Sequence, residues 1–103
     1  MGWFEIVPRV IEQAACDAER SRTDLAELTS ADSNFALAMG AIIADSLSRA
    51  SSSQGLHVDW VLRAFCDEAA KTPISFRGTV QAAAASYMRA VAAALSKRHH
   101  PSE

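Results

Sequence analysis

The chain has 103 residues, enough for one domain that buries its own core without metal or disulfide support. A formal charge of −2 lacks the basic surface that nucleic-acid binding relies on, and no apolar run approaches the roughly 18 residues of a membrane span. Alanine supplies 21 residues, against four glycines and three prolines, and no stretch alternates as a strand would, so the fold class expected is all-α.

The first helix is expected to start at Val7 or Pro8, because proline suits a first helical turn. Trp3, Val7, Val10, Ile11, Ala14, Ala18, Leu25 and Leu28 then fall on one stripe, which carries the helix to about Leu28 unless it breaks near residues 21–24. In residues 29–33, Thr-Ser-Ala-Asp-Ser, Asp32 or Ser33 is the expected N-cap of the next helix. Residues 34–50 are the most apolar helical segment. Phe35, Met39, Ile42, Ile43 and Leu47 occupy one side, and Leu37, Ala38, Ala41 and Ala44 cover most of the other. A helix apolar nearly all round is expected to be buried, so this one is assigned as the central post.

Ser51, Ser52, Ser53, Gln54 and Gly55 form the clearest linker in the chain. Beyond it Val58, Val61, Leu62, Phe65 and Ala69 define a third helix over roughly residues 57–71, stopped by Thr72-Pro73. Residues 74–78 are a connection or a first turn, with Phe76 packing at the entry of the last helix. That helix runs from Thr79 to about Arg98, with Val80, Ala83, Ala84, Tyr87, Met88, Val91 and Leu95 on one face. The expected architecture is a single-domain antiparallel helical bundle of four helices over residues 1–98, the first long, the second central and buried, with a disordered tail at 99–103.

Signals for chemistry are sparse. His57, His99, His100, Cys16 and Cys66 show none of the spacings of a metal site; His57 reads as a helix-start residue and the paired histidines as a solubilising end. Cys16 projects away from the apolar stripe towards Arg9, Thr23 and Glu27, and Cys66 sits at the edge of the core face. The four glycines are scattered, so no phosphate-binding loop is expected. A helix-turn-helix over residues 24–40 would need a turn glycine and a more polar second helix. Neither a metal nor a catalytic group is expected, and no cofactor is assigned.

Asp45-Ser46-Leu47, with Thr79-Val80-Gln81-Ala82-Ala83 further on, resembles segments of acyl carrier proteins. The resemblance implies a phosphopantetheine arm on Ser46. It covers eight residues, and the chain departs from the pattern where Ala41-Ile42-Ile43-Ala44 enters the motif as helix and where Ser48 to Gln54 replaces an acidic recognition helix. A carrier modified at Ser46 therefore stands as the alternative, with an enzyme whose residues gather from separate helices as the third reading.

Two surface features favour a protein partner instead. Trp60 projects opposite the core stripe of the third helix, beside Asp67 and Lys71, as interface anchors do. The back of the last helix carries Ala82, Ala85, Ser86, Arg89, Ala92, Ala93 and Ser96, a small-residue strip interrupted by one charge, suited to another helix at close range. Trp60, Ala82, Ala85, Arg89 and Ala93 are the expected partner-binding residues of a small cytoplasmic interaction module, bound to another protein or to a second copy as a homodimer. With two cysteines and no export signal, a reducing compartment is expected.

Overall fold

A computed structural model describes residues 3–20, 28–73 and 78–98, with side chains for residues 6–20, 28–73 and 78–97. Among these residues the chain is all-α, with four helices: α1 (Trp3–Arg20), α2 (Phe35–Ser53), α3 (Val58–Ala69) and α4 (Val80–Arg98). Helix α1 begins earlier than expected, and Pro8 lies inside it. The carbonyl that the proline ring disturbs is four residues back, in the first turn, where the helix gives most easily. Leu28 is not helical but half-buried against the core; residues 21–27, with the expected break, lie outside the described residues, as do Phe76 and the tail at 99–103.

Turn chemistry explains the remaining boundaries. Asp32 does not cap α2; its carboxylate accepts from the Thr29 N–H at 2.7 Å and closes a turn, and Asn34 takes the N-cap position without a side-chain cap. Helix α2 continues through the serines expected to form a linker, since Ser51 donates its hydroxyl to the Leu47 carbonyl at 2.6 Å and is buried there. The helix then stops at Gly55 (φ 72°). The Gly55 N–H donates to Ser52 O at 3.1 Å and the Leu56 N–H to Ser51 O at 2.9 Å, the paired bonds of a Schellman turn. His57 caps α3, its Nδ1 accepting from the Asp59 N–H at 3.4 Å. Thr79 Oγ1 does the same for α4, accepting from the Ala82 N–H at 3.2 Å.

Side-chain bridges show that neighbours run antiparallel. Gln54 reaches Gln13 at 3.2 Å and Arg49 reaches Asp17 at 3.6 Å, so late residues of α2 meet earlier ones of α1. Arg89 reaches Glu19, and the Val80 N–H donates to Leu28 O at 3.2 Å, which sets α4 antiparallel to α1 as well. Arg49 also pairs with Asp45 one turn back. The two connections at one end of the bundle are joined by an isolated antiparallel bridge between Thr29 and Thr79, with the Ser30 N–H donating to Gly78 O at 3.3 Å.

One contiguous core runs through the bundle, drawing Val7, Val10, Ile11 and Ala14 from α1, Phe35, Ile42 and Leu47 from α2, Val61 and Phe65 from α3 and Val80, Met88, Val91 and Leu95 from α4. The most extensive helix contact is α1 against α4. Ala14, Ala15 and Ala18 of α1 and Ala83, Ala84, Ala85 and Ala92 of α4 are all buried, and such short side chains let two helices lie close. The α2 stripe of Phe35, Met39, Ile42, Ile43 and Leu47 is buried as expected. The rest of the central-post reading is corrected, because Leu37, Gly40, Ala41 and Ala44 face outward. The α1–α4 contact is the most extensive in the bundle, and α2 packs against both of those helices and α3 along its buried side.

Candidate interaction surface

The outward side of α2 is a continuous strip. At about 100° per residue, Leu37, Ala41, Ala44 and Ser48 fall within roughly a 60° arc, and all four are exposed, Leu37 to 78%. Beside the strip, a groove of about 460 Å³ lies between α2 and α3. Met39, Gly40, Ile43 and Ala44 form one wall; Leu62, Phe65, Cys66, Ala69 and Ala70 form the other, and Tyr87 of α4 also lines it. None of these ten side chains carries a charge. The Phe65 and Tyr87 rings meet edge to face with centroids 5.7 Å apart, and the Tyr87 hydroxyl donates to Ala69 O at 3.2 Å. These contacts fix the aromatic part of the lining, and leave its polar tip already engaged.

Trp60 is exposed to 60%, as expected. With Arg63, Ala64 and Asp67 it borders a separate depression of about 320 Å³. Trp60 and Leu62 are about 200° apart on the helix, so α3 presents this depression on the side away from the groove.

The strip on α4 is divided. Ala82, Ser86, Arg89 and Ala93 are exposed, but Ala85 and Ala92 are fully buried within the chain itself. Ala85 is therefore corrected as a partner-binding residue: it lies on the same face as Arg89, which reaches α1. The strip does accept a helix at close range, and that helix is α1. Arg89 is likewise engaged, donating to Glu19 through Nη2 at 2.6 Å and Nη1 at 3.0 Å, with Nη2 3.9 Å from the Cys16 sulfur. Cys16 is exposed as expected, yet Arg89 is its neighbour there; Thr23 and Glu27 lie outside the described residues. Cys66, expected at the edge of the core face, is exposed and lines the groove.

The Arg89 hydrogen bonds hold the Glu19 carboxyl below its ordinary range. Stability from a carboxyl lowered in the folded state is present above its unfolded pKa and lost as pH falls through the folded one. The pair is solvent-exposed, so the effect is small. Glu19→Gln is expected to flatten the acid limb of a stability–pH profile measured by thermal melting from pH 7 to pH 3, and the difference from wild type is expected to shrink in salt above about 0.5 M; an unchanged acid limb would show that the pair contributes nothing.

Ser46 is the twelfth residue of α2, on the order of 16 Å along the axis from its start, and it is 1% exposed. Ser46, buried inside the helix, does not present the reachable helix-start hydroxyl that the carrier resemblance implies. Helical periodicity places it beside Ile42 and Ile43, on the buried side. Among the described residues its Oγ has no hydrogen-bond partner. Leaving a buried hydroxyl unpaired costs about 1–3 kcal/mol, so Ser46→Ala is expected to raise stability by about 1 kcal/mol in urea denaturation; a loss of stability would mean that the hydroxyl is satisfied.

Among the described residues no three His, Cys, Asp or Glu side chains converge as metal ligands, and no helix is long and apolar enough to cross a membrane. Comparison with protein-family models, curated proteins and solved structures finds no match.

Leu37 and the groove are what sequence reasoning missed. The signal was present: Phe35, Met39, Ile42, Ile43 and Leu47 already complete one buried side, which leaves Leu37 the only large apolar residue on the other side of α2.

Proposed function

We propose that this chain is a small non-catalytic interaction module of the cytoplasm, an adaptor, inhibitor or regulatory subunit, that binds the apolar face of a helix from another protein. The observation that carries the reading is the uncharged α2–α3 groove with Leu37 standing exposed beside it. The core reaches the surface there, since Met39, Ile43 and Phe65 belong to both core and groove, and contiguous apolar surface of this kind marks interaction sites more often than plain exterior. A groove between two helices receives an amphipathic partner helix by the same ridge-and-groove packing that builds the bundle. The Trp60 depression and the exposed Ala82 and Ala93 are secondary candidates on other faces.

The test uses Leu37→Glu, which charges the exposed α2 strip that shares Ala44 with the groove wall, without touching the core. Affinity capture from native lysate with the wild-type chain and with the variant, quantified by mass spectrometry, is expected to show one partner depleted at least tenfold by the substitution, about 1.4 kcal/mol of binding. The two proteins are expected to melt within 2 °C of each other, about the scatter of a neutral surface change. Equal retention of every captured protein would remove the groove from the proposal. Light scattering on the pure chain from 5 to 500 µM, roughly the range where weak self-association appears, separates the remaining outcome: a wild-type dimer abolished by Leu37→Glu would make the occupant a second copy.

A further inference from the structure

We draw no further inference here: the strongest candidate, the uncharged groove between α2 and α3 with Leu37 exposed at its side, belongs to the surface already proposed for docking, and nothing in the structure shows what covers it.

Discussion

Leu47→Ala is expected to destabilise the protein by about 2–5 kcal/mol, whereas Leu37→Ala, on the same helix, is expected to stay within about 0.5 kcal/mol of wild type. Both substitutions delete the same atoms and give the same gain in intrinsic helix propensity, so their difference isolates burial. Leu47 is fully buried in the core, so truncation leaves a cavity that its surroundings close only in part. Leu37 is 78% exposed and leaves no cavity. In a domain of this length each kcal/mol moves the melting temperature by about 4–8 °C, so thermal denaturation should separate the variants by at least about 6 °C. Equal losses at the two positions would mean that α2 is wrapped on both sides after all, and the groove beside Leu37 would go with it.

Alanine positions on α4 provide the second large contrast. Ala85→Leu drives three additional carbons into the α1–α4 contact and is expected to cost about 1–3 kcal/mol, more if α1 cannot shift. Ala93→Leu, on the same helix but exposed, is expected to be neutral within about 0.5 kcal/mol. Urea midpoints with unchanged slopes are the measurement, since a changed slope would report an altered denatured state instead of packing. A neutral Ala85→Leu would show that the helices are not in close contact there, and Ala85 would return as a residue available to a partner.

These contrasts mark where the sequence was legible and where it was not. Large side chains at helical spacing identify their own burial: Phe35, Met39, Ile42, Ile43 and Leu47 were read as one face, and so were Val80, Met88, Val91 and Leu95, and all of them are buried. Alanine carries no such information, because it is the best helix former whether water or another helix lies against it. Ala85 and Ala93 look alike in the sequence, yet one is closed in by α1 and the other is open. The same ambiguity made α2 look central, since Ala41 and Ala44 count as apolar but tolerate solvent, while the alanines of α1 and α4 mark the innermost pair.

Boundaries were misread for a different reason. Asp32 and the serines at 51–53 are residues whose side chains bond local backbone in more than one way. Asp32 was expected to begin a helix and instead closes the Thr29 turn; Ser51 was expected in a linker and instead bonds back to Leu47 inside the helix. The candidate surface was half legible. Trp60 was found because a large aromatic off the core stripe is conspicuous, but the groove depends on how far two helices diverge, which no single helix records.

The pairing of Thr29 with Thr79 bears on what the groove can select. The bridge ties the turn that enters α2 to the start of α4, and the Tyr87 hydroxyl ties Ala69, at the end of α3, to the same helix. At the opposite end the walls share the tight Gly55 corner. A slot held at both ends is expected to change its width little when it is filled. Under the docking proposed above, a helix is expected to be sorted by size, with little of its affinity spent on reshaping the receptor, and a bulkier residue on it is expected to weaken binding.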